Sequence, residues 1–313
     1  MIGPVRAWRT CFALSVLAAA SGALAQQKPV LRHFVAGTEE RYRVTLNVKA
    51  ESHSVSTETV AAQTYVTPAV NAAEVTIRWR AVRRIHTVQG DGTAEVEETV
   101  TTVGKPCEEP QARAGQDSSL RTSLKEFCAH WPTEQTIRYA ENPRGLLQES
   151  APPSFVELGE SAPPLLALWL RRAARPSVIE PPLDFAIGAN AQHSFRPSGE
   201  LLKDAHGSET TEWLDAPGET PAATLHVLQQ LSWTSPAPAQ IASAKVEPLQ
   251  SNLGVVFFAD SLTTLSLLDG SVLRASRTAS RATSRAVDPV PGLPAAPDFS
   301  AKLTLSITIE RLP

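Results

Sequence analysis

Few residues in this chain of 313 have the types and spacing that chemistry needs. Cys107, Cys128 and His130 are soft donors close enough in sequence to suggest zinc, but a fourth ligand at a recognisable interval is missing. The first 25 residues have the form of a cleavable secretory leader. Arg6 and Arg9 precede the apolar run FALSVLAAASGAL, and Ala23-Leu24-Ala25 stands before Gln26, which predicts cleavage after Ala25. Two cysteines remain after cleavage, and an even count in an exported chain favours one disulfide, Cys107 to Cys128, over a metal site. Closing a loop of about 20 residues, it would stabilise by roughly 3 kcal/mol through the unfolded state. Cys11 sits at the start of the apolar run without a lipid-attachment pattern. No metal or cofactor is expected, and the predicted compartment is the periplasm or the exterior.

The general acids and bases form no constellation. The chain lacks a Gly-x-Ser-x-Gly elbow, a His-Glu-x-x-His pair, a Walker loop and a Ser-x-x-Lys. Its seven histidines are scattered, and none, His226 included, has a paired acid at a telling spacing. Glu95 and Glu97 share the expected solvent face of a strand, whereas Glu98 has the parity of Ala94, Val96 and Val100 and points inward. An inward carboxylate reads as a buried partner for an arginine more readily than as a general acid. Trp79 and Trp233 have core parity, and Trp79, Trp131, Trp213 and Trp233 read as packing residues before they read as a carbohydrate platform.

The elements that would position these residues are strands. RYRVTLNVK sets Tyr42, Val44, Leu46 and Val48 against Arg41, Arg43, Thr45, Asn47 and Lys49; EVTIRWRA, TLHVLQQLSW and KLTLSITIE repeat the alternation. One polar face per strand is the antiparallel pattern. Gly90-Asp91-Gly92, Asn142-Pro143-Arg144-Gly145 and Asp269-Gly270 supply the turns. PPLLALWLRRAAR departs from period two. Leu165, Leu166, Trp169 and Leu170 fall at helical spacing, with proline in the first turn and arginines in the last, so residues 163 to 175 read as an amphipathic helix, with a second candidate at SSLRTSLKEF.

The expected fold is mainly β, with antiparallel curved sheets in two similar meander halves and one central amphipathic helix. Its boundaries are a signal peptide at 1–25, an N-terminal half at 26–162, a helical connector at 163–187 and a C-terminal half at 188–313. PCEEPQARAGQDSS, SPAPAQ and DPVPGLPAAPD read as loops. RASRTASRATSRA, carrying Arg274, Arg277, Arg281 and Arg285, reads as a solvated edge. Formal charge is −3, or −5 once the two leader arginines are removed, so a nucleic-acid partner is not expected; nor is a membrane-spanning segment in the mature chain.

In GVVFFADSLTTLSLLDGSVL, the run Val255-Val256-Phe257-Phe258 leaves neither face of a strand polar. A second layer over the sheet, an apolar ligand cavity or a partner patch would each cover it. The leader, the alternating strands, the Pro-flanked helix followed by PPLDFAIGA, and this late block together resemble an uncharacterised group of exported bacterial β proteins. Their plan is similar to the lipoprotein-carrier (LolA/LolB-like) half-barrel. The resemblance implies a sheet wrapped around a helix with an acyl-sized groove, but this chain is much longer than one carrier domain. The functional expectation is a non-catalytic extracytoplasmic binding protein, holding a lipid or other apolar ligand, or an envelope protein, against a face that includes Val256, Phe258, Leu165 and Trp169. The alternative is a periplasmic hydrolase with a site assembled only in three dimensions.

Overall fold

The computed structural model describes residues 30–60, 63–105, 124–125, 127–129, 131–147, 164–177, 191–195, 205–215, 221–236, 252–285 and 299–313. The expected leader and its cleavage point, Cys107 and the loops PCEEPQARAGQDSS and DPVPGLPAAPD lie outside the described residues, and of SPAPAQ only Ser235 and Pro236 lie within them.

The elements run β1 Glu39–Val60, β2 Gln63–Val88, β3 Ala94–Thr102, β4 Glu134–Glu141, α1 Pro164–Ala173, β5 Ala191–Phe195, β6 His206–Asp215, β7 Ala222–Pro236, β8 Asn252–Ser266, β9 Val272–Arg285 and β10 Phe299–Leu312. Within the second helix candidate, Leu124, Lys125 and Phe127 are helical, as are Cys128 and Ala129 just beyond. The protein is mainly β. The strands form one antiparallel sheet in the order β4-β3-β2-β1-β10-β9-β8-β7-β6-β5. The expected meanders are therefore β1–β4 and β5–β10, and they are not separate sheets. The first strand joins the last from Arg41↔Leu312 to Ser54↔Phe299.

Strand parity decides the core. Tyr42, Val44, Leu46 and Val48 of β1 lie between Val75, Ile77, Trp79 and Ala81 of β2 and Leu305, Ile307 and Ile309 of β10, all buried. Each large aliphatic side chain so covered contributes roughly 1.5–3 kcal/mol relative to exposure. The helix α1 places Leu166, Leu170 and Ala173, spaced i, i+4 and i+7, in the same core and lies over β9 and β10.

The apolar run of β8 follows the same rule. Val255 is 1% exposed and Phe257 is buried, whereas Val256 is 40% exposed and Phe258 only partly covered. The outer face of the run is flanked by Gln230 and Ser280 beside Phe258 and by Ser232 and Ala282 beside Val256. No second layer covers it among the described residues.

One end of the sheet is closed by residues 30–37. The Arg32 amide donates to the Pro143 carbonyl at 2.6 Å, the His33 amide to the Asp269 carbonyl at 2.9 Å and the Gly37 amide to the Ile85 carbonyl at 2.7 Å. The turn at Gly270 (φ +67°) lies so close to the Leu31 carbonyl that a Cβ there would collide with backbone. All three expected turns are present.

Candidate functional site

Four strands carry a charged or phenolic residue on the core-facing parity at the closed end. Glu40 precedes Tyr42, Arg83 follows Ala81, Glu98 falls between Val96 and Val100, and Glu141 follows Tyr139. Register sets Glu40 opposite Arg83, and Arg83 opposite Glu98. Arg32 enters from the N-terminal segment; Arg175 and Ser177 enter from the chain leaving α1. All of these are buried.

Arg83 is the hub. Its Nη1 donates to Glu40 Oε2 at 2.7 Å, its Nη2 to Glu141 Oε2, and its Nε to the Tyr139 hydroxyl at 3.1 Å. Tyr139 in turn donates to Glu98 Oε2 at 2.7 Å. Arg32 Nη2 reaches both Glu40 oxygens, at 2.8 and 3.0 Å, and Tyr42 donates to Glu40 Oε2 at 3.1 Å. Ser177 donates to Glu141 Oε2 at 3.0 Å. The Arg175 guanidinium stacks 4.6 Å over the Tyr139 ring and makes no hydrogen bond, and Glu98 Oε1 is likewise unbonded.

The environment separates the two carboxyls of β1 and β3. Burial works to raise the Glu40 carboxyl, but the Arg83 and Arg32 guanidiniums outweigh it and hold Glu40 below the usual range. For Glu98 burial prevails, and its carboxyl is pushed up despite Arg83 and Arg175. Burial pushes the Tyr42 phenol up to about 12. Sealed from solvent and joined through Arg83, the cluster is suited to ionic locking of the N-terminal segment, β1–β4 and the connector; proton exchange with a substrate would need access it lacks.

A second lock fixes the helix. Arg277 of β9 donates from Nη1 to the carbonyls of Ala173 and Arg175 at 3.0 and 2.7 Å, and from Nη2 to that of Ser177 at 2.5 Å. It thus satisfies carbonyls that the end of α1 leaves open. Burial without a carboxylate partner brings Arg277 down to about 9. This corrects the reading of RASRTASRATSRA as a solvated edge. The segment is a central strand; Arg277 is buried between the small side chains of Ala275 and Ala279, Arg281 is partly buried, and Arg274 alone of these three is exposed.

His226 gains acids that only the fold brings to it. On the outer face its Nδ1 lies 3.0 Å from Glu212 Oε1 and its Nε2 2.9 Å from Asp260 Oδ1. These acids stand on β6 and β8, 14 and 34 residues away, so no local spacing reveals them. Partial burial opposes the charge, but the two carboxylate hydrogen bonds raise the imidazole above its ordinary range. With both nitrogens engaged, the ring clamps three strands.

The four residues expected to share a ligand face do not. Leu165 and Trp169 are half-buried against the core from α1, on the inner face; Val256 and Phe258 point to the opposite one. Other half-buried apolar side chains against the core include Trp233 of β7 and Leu303 of β10. The expected inward Glu98 is fully buried. Trp79, Trp131 and Trp213 are buried and Trp233 half-buried, with Trp79 and Trp131 5.3 Å apart between ring centroids. Cys128 packs partly buried against the same core.

Sequence reasoning missed Arg32, Glu40, Arg83, Tyr139, Glu141, Arg175, Ser177 and Arg277. A signal existed for the strand residues, since each continues the buried parity of its own strand.

No family model matches the chain, and no curated protein matches it. The crystal structure of Acinetobacter baumannii OccAB4 is similar at 8% identity over 88% of this chain and 99% of that chain, with a TM-score of 0.15, which carries no argument.

Proposed function

We propose that this is a non-catalytic extracytoplasmic binding protein that holds a lipid or other apolar ligand at the seam between α1 and the inner sheet face. The observation that carries the reading is the pair Leu165 and Trp169, one helical turn apart, which stay half-buried against the core from α1, as Trp233 and Leu303 do from the sheet. Such a seam admits an acyl chain by displacing little. The engagement of Arg32, Glu40, Arg83 and Glu141 in ion pairs supports binding over catalysis. Export with cleavage after Ala25 belongs to the same proposal, as does the Cys107–Cys128 bridge, which is supported by Cys128 being disulfide-bonded.

The test uses N-phenyl-1-naphthylamine displacement and native mass spectrometry of the purified mature chain. The dye should bind, a phospholipid should displace it, and Leu165→Asp should lose at least tenfold in affinity while Val256→Ser, on the other face, keeps it. Dye binding no stronger than to a control protein, with no co-purifying lipid, would remove the proposal. Turnover on an esterase or glycosidase panel that vanished on replacing one acid or histidine would favour the hydrolase.

A further inference from the structure

The outer face of β1 and β2 has a charge opposite to that of the chain. Among its described side chains, Arg41, Arg43, Lys49, Arg78, Arg80 and Arg84 stand with only Glu39, Glu51 and Glu74, on a protein whose formal charge is −3. Arg43 and Arg80 sit directly across from one another in the ladder, an arrangement of like charges that weakens strand pairing. Both are exposed. The Glu310 carboxylate approaches Arg43 only to 3.8 Å, and Arg80 has no ion-pair partner among the described residues. Glu39 is already shared between Arg41 and Arg84, at 2.8 and 3.0 Å. The surrounding outer face is rich in hydroxyls, including Thr45, Thr308 and Ser306 in register on β1 and β10.

We infer that this face binds a linear anionic polysaccharide. Carboxylates along such a chain relieve the Arg43–Arg80 repulsion through charge-assisted, bidentate contacts. Strand spacing of about 4.8 Å sets neighbouring arginines roughly one sugar residue apart. The flat array of threonine and serine hydroxyls meets the sugar hydroxyls. A lipid surface fits less well, because among the described side chains of β1 and β2 the exposed large apolar ones are Val70 and Val88, away from Arg43 and Arg80. A single-stranded nucleic acid would want exposed aromatic rings for base stacking, and the described side chains of this face supply none.

The experiment is affinity electrophoresis and titration of the full chain with polygalacturonate, beside neutral dextran, phosphatidylglycerol vesicles and single-stranded DNA. Polygalacturonate should retard the protein at low salt, dextran should not, and the retardation should fade as salt rises. Arg43→Gln/Arg80→Gln should bind at least tenfold more weakly with an unchanged or higher melting temperature, while Arg144→Gln, an exposed arginine in the Asn142–Gly145 turn, should bind as the parent does. No retardation at low salt, an unchanged affinity in the double variant, or tighter binding to vesicles or DNA than to polygalacturonate would each overturn the assignment. Because the seam beside α1 lies on the inner face, loss of dye binding there leaves this result untouched.

Discussion

Replacing Arg83 with methionine tests the ionic lock, because the substitution keeps most of the volume and removes the charge. Arg83 donates to two carboxylates and one phenol from full burial. Without it, Glu40 still has Arg32 and Tyr42, but Glu141 keeps only Ser177 at close range, with Arg32 Nε 3.9 Å away. Stripping one partner from a buried pair costs about 3–5 kcal/mol. With a urea slope of about 3 kcal/mol per molar, the upper end for small proteins, the midpoint of unfolding should fall by about 1–1.7 M, followed through the buried Trp79 fluorescence. The pH dependence has a definite sign. Glu40 is held below its ordinary 4.5, so its contribution is present above that pH and lost as pH falls through the lowered value. Arg83→Met removes one of the two cations responsible, and its deficit should be largest at pH 7 and shrink toward pH 4. Adding Glu141→Gln should restore about 1–2 kcal/mol, since the stranded charge goes with it. A loss under about 1 kcal/mol at pH 7, or a double variant no more stable than the single one, would refute the lock.

Other perturbations follow the same physics. Glu98 has a raised carboxyl, so its favourable protonated form is fully present below pH 4.5 and lost as pH rises through the shifted value; Glu98→Gln should melt with the parent at pH 4 and above it at pH 8. His226 is also raised, so its clamp should be complete below pH 6.5 and weaken as pH climbs through the shifted value; His226→Gln should flatten the pH dependence of stability across that window, a change of less than about 1 kcal/mol given its exposure, read by urea melts. Gly270→Ala forces a strained φ and a clash with the Leu31 carbonyl, and thermal melts should show a loss of more than about 1 kcal/mol. If Cys107 and Cys128 are bridged, thiol titration of the unreduced mature chain finds no free thiol, and reduction costs roughly 3 kcal/mol.

What strand alternation shows directly, it shows in one dimension. Period two placed Tyr42, Leu46, Ile77 and Leu305 in the core and Glu98 beside them, and the 3.6 period set Leu166 and Leu170 on the buried side of α1, because side-chain direction along a regular backbone depends only on residue count. The turns were legible for a similar reason, since Gly92 and Gly270 adopt positive φ that other residues resist. Pairing across long separations was not legible. Glu40, Arg83 and Glu141 meet over intervals of 43 and 58 residues, Arg277 finds carbonyls about a hundred residues away, and His226 gains its acids from two neighbouring strands. Composition reads such residues as solvated because charge is normally exposed; only the sheet order and register bring opposite charges within reach and exclude water from between them. The same order decided which side of β8 is dry: an apolar run has no preferred face of its own, and burial of Val255 and Phe257 rather than Val256 and Phe258 follows from the strands on either side.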